Sequence, residues 1–374
     1  MLHNAPMTPT RIAVICTRRL GDVLLATALI RSLRRASPPG TRIDALVAPE
    51  TVAALQGNPD LDVVIAIPHR PRLREAWALL RRLFRRYDLA LCTLISDRAH
   101  VLALLAAPRR ITVVPPADYP GAKWKRWLSW RHVEADGRNI HAVEQTLRLL
   151  DLLEIKRSTE LVPPRPVDAT ALQGKLGSDW DAAPYAVVHP AAMYPYKGWT
   201  GQGWRDLLRA LVTRNLRVYV TGGPAPAERA LVAGIVAGAD AGVVVDLAGR
   251  LEFPELTPLI ENAQVFVGPD TSVTHLAAAT GVPTVALFGP SHPVAWGPWP
   301  QAWDGAAPSP WKMTAPLQRQ GNVSIVQGLP PCVPCLLEGC ARHQQSRSVC
   351  LDELPAARVV AAVDAAIAGR ARAL

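Results

Sequence analysis

The apolar residues fall into short continuous runs separated by stretches of helical spacing. Arg11–Thr17 reads as a first buried strand, and Val23–Arg35 follows with apolar residues at helical intervals. Arg42–Val47, Val63–Ile67, Asp88–Leu94 and Ile111–Val114 are further strands, with helical segments at Pro71–Tyr87 and Ser96–Ala107 between them. Asn139–Leu153 is amphipathic, with Ile140, Val143, Leu147 and Leu150 on one side. Periodicity then weakens across a proline-bearing stretch, and a second alternating series begins at Tyr185. It predicts strands at Ala186–His189, Arg217–Thr221 and Val243–Asp246, and helices at Gly201–Arg214, Ala227–Ala237 and Phe253–Asn262. The alanine-rich tail, Leu354–Leu374, reads as a closing helix.

Strands alternating with helices predict an α/β protein with two Rossmann-like domains, their parallel sheets facing an interdomain cleft. The expected boundaries are residues 1–155 for the first domain, 156–184 for a connector and 185–374 for the second.

The most informative stretch is Val265–Pro290. Val265–Val267 is a strand broken by Gly268-Pro269-Asp270-Thr271-Ser272, and Val273–Thr280 is a short helix ended by Gly281 and Pro283. Thr284–Phe288 is the next strand. A helix that starts at the carboxyl end of a strand offers free N–H groups and a positive dipole end, which suits a phosphate. The same pattern also serves as an ordinary crossover with a hydroxyl cap.

Composition narrows the partners. The net charge of +10 favours anionic ones: nucleotides, phosphorylated glycans or a membrane surface. Nucleic acid is not expected, because no helix-turn-helix, zinc-finger or RNP pattern occurs. No apolar run approaches the ~20 residues of a membrane span, and Met1–Thr10 lacks a signal-peptide core, so a cytoplasmic protein is expected. Seven arginines between Arg70 and Arg86 (Arg70, Arg72, Arg74, Arg81, Arg82, Arg85, Arg86) are joined by Lys123, Lys125, Arg126 and Arg131 among Trp124, Trp127 and Trp130. That mixture can stack on sugars, guide an anionic acceptor or rest on the inner membrane face.

Individual residues carry candidate chemistry. Asp22 follows the first strand in Arg18-Arg19-Leu20-Gly21-Asp22, where a carboxylate can accept a proton from an acceptor hydroxyl or cap the next helix. Gly222 and Gly223 after a strand allow close approach of a ligand, with Glu228 nearby able to hold ribose hydroxyls, or they form a tight turn with a solvated Glu. Lys197 can stabilise a departing pyrophosphate. His275, three residues past Ser272, is a phosphate donor or a satisfied buried histidine. Asp60/Asp62 and Asp179/Asp181 read as surface turns, so no catalytic metal is expected. Cys16 and Cys92 read as core thiols. Cys332, Cys335, Cys340 and Cys350, in a Cys-rich segment at 330–351, have a spacing that suits a structural zinc or an iron–sulfur cluster.

Taken in order, these pieces resemble glycosyltransferase family 9, the ADP-heptose:lipopolysaccharide heptosyltransferases. The resemblance rests on Leu20-Gly21-Asp22-Val23-Leu24-Leu25, His141-Ala142-Val143-Glu144-Gln145-Thr146, Lys197-Gly198-Trp199 with Gly203-Trp204, and Asp270-Thr271-Ser272-x-x-His275 with Leu287-Phe288-Gly289-Pro290. It implies a GT-B fold and an inverting, metal-independent transfer of a heptose or related sugar from an ADP-sugar to a lipopolysaccharide core or similar anionic glycan or glycolipid. It also implies Asp22 as general base, Lys197 on the leaving diphosphate, the backbone near Thr271 and Ser272 on the pyrophosphate, His275 in support and Glu228 on the ribose. Asp270 is placed with the donor residues, and Arg18, Arg19, Lys123 and Arg126 with the acceptor. Two departures stand out: Ser272 where many members have Gly, and Ala191-Ala192 where hydroxyl residues are common.

Overall fold

A computed structural model describes residues 9–301, 303–328 and 330–371. The chain divides into two compact units, one running to Val162 and the other from Pro163.

In the first unit the chain runs β1 (Arg11–Cys16), α1 (Leu20–Leu25), α2 (Thr27–Ala36), β2 (Arg42–Val47), β3 (Val63–Ala66), α3 (Leu73–Leu83), β4 (Leu89–Cys92), α4 (Asp97–Ala106), β5 (Arg109–Val114), α5 (Ala122–Leu128), β6 (Arg131–Glu134) and α6 (Ala142–Asp151). The strands form one parallel sheet in the order β3-β2-β1-β4-β5-β6. Strands β1 and β4 are buried along almost their whole length, which explains why they read as continuous apolar runs. Cys16 and Cys92 lie inside this core, and burial pushes both thiols up to about 12. The order reverses between β1 and β4, the place where open α/β sheets bind ligands beyond the strand ends.

Three expectations change here. The helix predicted over Asn139–Leu153 begins at Ala142, because His141 is its cap: its Nδ1 accepts from the Val143 N–H at 3.1 Å. Glu144 in the same motif pairs with Arg157 at 2.7 Å, so this family-like segment is structural. Asp60 is buried and paired with Arg31 at 2.8 Å rather than lying in a surface turn, whereas Asp62, Asp179 and Asp181 are exposed. Strand β6, with exposed Arg131, His132 and Glu134, carries too little apolar signal to be read from sequence.

Residues 158–162 belong to the first unit by contact. Ser158 N–H donates to Ser32 Oγ at 2.8 Å, and Val162 N–H to Thr27 Oγ1 at 2.9 Å.

The second unit runs α7 (Ala171–Leu176), β7 (Tyr185–Val188), α8 (Gly201–Val212), β8 (Arg217–Val220), α9 (Pro226–Val236), β9 (Val244–Asp246), α10 (Leu256–Glu261), β10 (Val265–Pro269), α11 (Ser272–Thr280), β11 (Thr284–Phe288), α12 (Pro293–Trp296), β12 (Leu317–Gln320), β13 (Val323–Gln327), α13 (Val349–Asp352) and α14 (Ala356–Ala371). Its sheet has the order β12-β13-β11-β10-β7-β8-β9, with only β12 antiparallel. The reversal point lies between β7 and β10. The core joins Trp199 and Trp204, whose rings meet edge-on at 5.1 Å, to the apolar faces of α8 and α14. The predicted closing helix is α14; residues 372–374, like residues 1–8 of the amino-terminal segment, lie outside the described ones.

Candidate functional site

The stretch Val265–Pro290 forms β10, α11 and β11, placed beside β7 at the reversal point of the second sheet. Strand β10 is buried throughout and runs two residues further than its apolar run predicts, to Pro269. Thr271 then caps α11, its Oγ1 accepting from Thr274 N–H at 3.4 Å, and Gly281 ends the helix at φ 84°. That positive φ is inexpensive only for glycine. Ser272 is the first helical residue. The amino end of α11 therefore sits just beyond the strand ends, with its first N–H groups and dipole facing outward from the sheet.

Asp270, at the turn between β10 and α11, receives Lys197 Nζ at 2.5 Å, and both side chains are largely buried. Burial alone would raise the Asp270 carboxyl, but the charge and hydrogen bond of Lys197, a hydrogen bond from Ser291 and nearby His275 hold it below the usual carboxylate range. Lys197 comes from the turn after β7, where Pro195–Lys197 forms one tight helical turn and Thr200 caps α8. His275 is buried one helical turn into α11, and desolvation depresses it to about 4, so it is neutral at neutral pH. Its Nδ1 has no hydrogen-bond partner among the described residues. A neutral imidazole with one unused nitrogen can donate to or accept from a ligand group.

The loop after β8 is packed more tightly than the sequence indicates. A Cβ on Gly222 would come within 3.1 Å of Val232 Cγ2 and 3.3 Å of Ala248 Cβ, so glycine there serves helix packing. Glu228 folds back onto the loop, its Oε2 accepting from Gly223 N–H at 2.7 Å. His189, at the end of β7, pairs its Nδ1 with Thr221 Oγ1 at 2.9 Å, and burial depresses it to about 4.

In the first unit, Asp22 stands beyond β1 at the reversal point of that sheet, in the first turn of α1. Of the two sequence readings, the helix-start role is the one seen in its contacts. Its Oδ2 accepts from Arg19 N–H at 3.2 Å, as a helix-start carboxylate does, and Arg18 Nε lies 3.8 Å away. Burial raises the Asp22 carboxyl, against the lowering influence of Arg18 and Arg19. That shift makes the carboxylate a stronger proton acceptor.

The predicted acceptor cations split. Lys123 is exposed on α5. Arg126 is engaged structurally, bridging Glu134 at 2.5 Å and the Pro115 carbonyl at 3.1 Å. Lys125, read from sequence as part of the basic face, is instead buried and paired with Asp97 at 2.7 Å, and nothing in its local spacing marks that out. Sequence reasoning missed Ser291, although that residue directly follows the Gly289-Pro290 ending of the strand.

Cys332 and Cys340 are exposed, Cys335 is half-buried and Cys350 is buried, all as free thiols. Burial and then the three neighbouring cysteines push the Cys350 thiol up to about 12, so the four share one neighbourhood. Among the described residues, no three His, Cys, Asp or Glu side chains converge closely enough to hold a metal. No described helix is long and apolar enough to cross a membrane.

Residues 76–307 match glycosyltransferase family 9 (heptosyltransferase). The chain is 30% identical to a lipopolysaccharide heptosyltransferase 3 of Escherichia coli over 303 residues, spanning 76% of this chain and 86% of that protein. Its fold matches E. coli ADP-heptose lps heptosyltransferase II with a TM-score of 0.70 at 19% identity, covering 96% of this chain and 99% of the other. It also matches E. coli heptosyltransferase WaaC, solved with ADP, with a TM-score of 0.67 at 20% identity over 95% and 99% of the two chains. With two parallel α/β units of this topology, and with more than half its length in the family match, the chain belongs to glycosyltransferase family 9 and is a glycosyltransferase of the GT-B fold.

Proposed function

We propose that this glycosyltransferase moves a heptose from ADP-heptose to a hydroxyl of the lipopolysaccharide core, with inversion and without a catalytic metal. The reading is supported most by the Lys197–Asp270 pair at the start of α11. The pair fixes an ammonium beside a helix amino terminus, two anion-stabilising elements where a diphosphate would leave. Asp22 takes the proton of the attacking hydroxyl. The new bond forms to the anomeric carbon as its bond to the diphosphate oxygen breaks, and ADP leaves against Lys197 and the N–H groups after Thr271. Like charge keeps Asp270 off the diphosphate, so it receives sugar hydroxyls instead. His275, neutral, adds a hydrogen bond at the same place. Glu228 meets the ribose once it releases Gly223. Arg18, Arg19 and Lys123 hold acidic groups of the acceptor; Arg126 contributes by fixing α5 to β6.

On this reading the protein works in the cytoplasm. Cys332, Cys335, Cys340 and Cys350 form a structural site, since four thiols suit zinc first and an iron–sulfur cluster second. As described, the thiols are near one another but not drawn to chelating distance, so the metal would close the loop that carries them. Elemental analysis of anaerobically purified protein tests this: a stable, metal-free chain overturns it.

A second donor is favoured by one observation. Ala191 and Ala192 follow His189-Pro190 where hydroxyl residues are common in the family, which removes two possible donors to the sugar or diphosphate. The deciding experiment offers ADP-heptose and a panel of other nucleotide sugars with a lipopolysaccharide core acceptor. Transfer from ADP-heptose in preference to the rest supports the first reading; transfer from another nucleotide sugar replaces it with the second.

A further inference from the structure

The outer faces of α3 and α4 in the first unit take no part in this chemistry. The crossovers from β3 onward run opposite to those before it, so α3, α4 and α5 share one face of the sheet. α4 packs against both of the others. The inner sides of α3 and α4 fill the core through Leu83, Leu102 and Ala106.

The outer side of α3 is unusual. Leu73, Trp77 and Phe84 are 82%, 61% and 57% exposed. With half-buried Leu80 they occupy positions i, i+4, i+7 and i+11, a single stripe along the helix. Arg74, Arg81 and Arg85 sit one residue further on and border that stripe. Between residues 70 and 86 there are seven arginines and one glutamate, and none of those guanidiniums has an acidic partner among the described residues. The apolar surface continues across α4 in outward-facing Val101 and Leu104, and on α5 in Trp127, 83% exposed.

We propose that the outer face of α3, continued by α4 and α5, docks on the anionic headgroup layer of a phospholipid bilayer. Unpaired arginines take lipid phosphates while the Leu-Trp-Phe stripe enters the headgroup boundary, the division of labour of an interfacial helix. A nucleic acid would satisfy the arginines but leave Leu73, Trp77, Val101 and Leu104 in water. The proposal does not depend on which sugar is transferred.

The test uses the whole protein in sedimentation with phosphatidylcholine vesicles, with and without phosphatidylglycerol. The parent is expected to bind only the anionic vesicles, and more weakly as salt rises. Trp77→Ser with Phe84→Ser should weaken partition by about tenfold or more, with unchanged circular dichroism and thermal midpoint. Arg81→Gln with Arg82→Gln should weaken it and flatten the salt dependence. Should the serine variant fold poorly, Trp77→Phe supplies the reading: it keeps binding but loses part of the fluorescence quenching by brominated lipid. Equal partition of parent and serine variant, binding indifferent to phosphatidylglycerol, no vesicle binding by the parent, or a preference for duplex DNA over vesicles would each overturn the proposal.

Discussion

The two reversal points solve the same problem by different means. In the second unit, Asp270 and Lys197 are largely buried and paired before any ligand arrives, beside buried His275 and a capped helix. In the first unit, Asp22 is held by one backbone N–H and an arginine whose side chain is half exposed. A buried pair keeps its geometry at any salt concentration, whereas an exposed arginine can swing toward an incoming anion and is screened. On the proposed function, the rigid setting of Lys197 and Asp270 would suit one recurring diphosphate, and the looser surroundings of Asp22 an acceptor whose charges must be met and then released.

That contrast can be broken most decisively at its two charged centres. Asp22→Asn should lower turnover by about 10²–10⁴-fold, the range for a lost general base, while ADP binding stays as in the parent. Equal losses of turnover and of ADP affinity would show instead that the change disturbed the fold. Lys197→Ala should lower turnover by about 10²–10³-fold and also destabilise the protein by about 3 kcal/mol, because a buried carboxylate loses its partner. Adding Asp270→Asn should recover most of that stability and none of the activity, as read by denaturant midpoints and turnover in parallel. A donor pocket that tolerates Lys197→Ala without loss of stability is not rigid in the sense argued.

Two smaller effects sharpen the comparison. His189 and His275 each sit at about 4 in the fold, below the ordinary histidine value, so the unfolded chain binds more protons than the native one across that interval. Stability should therefore be level above about pH 6.5 and fall as pH drops toward 4, by roughly 2 kcal/mol per histidine at pH 5. Urea midpoints at pH 7.5 and 5 measure the slope, and His275→Gln should remove its own share. Finally, a Cβ at Gly203 would run into the Trp199 indole. Gly203→Ala should cost about 1–3 kcal/mol through overpacking, visible as a lowered thermal midpoint, with turnover reduced only as far as the Lys197 loop shifts.

How much of this was legible beforehand follows from how each feature is encoded. Strands β1, β2, β4, β10 and β11 are buried on both faces, and that burial writes itself as an apolar run. β6 and β12 lie at sheet edges with exposed polar side chains, so no periodicity distinguishes them from loops. α5 is short and basic, with Lys125 turned inward, against the habit of lysine. Position after a strand leaves Asp22 open between a helix cap and a proton acceptor, and it is the resemblance to the family that sets Asp22 and Lys197 apart. The coupling of Lys197 to Asp270 spans 73 residues and is created only when β7 and β10 pair, so nothing local could announce it. At Gly222 the sequence keeps a ligand approach and a tight turn both open, and the room its missing Cβ leaves for Val232 and Ala248 is a tertiary fact no local pattern carries.

The loop bearing Lys197 is fastened by residues from far down the chain. Ser348 Oγ donates to the Tyr196 carbonyl at 2.7 Å, and Trp199 Nε1 donates to the Leu354 carbonyl at 2.9 Å. During synthesis, then, the ammonium opposite Asp270 has no fixed seat until the ribosome has extruded Ser348 and Leu354. β10 and α11 can be complete by that point and able to cradle an anion. A nascent chain that stops short of Ser348 would carry β10 and α11 with the Lys197 loop still unfastened.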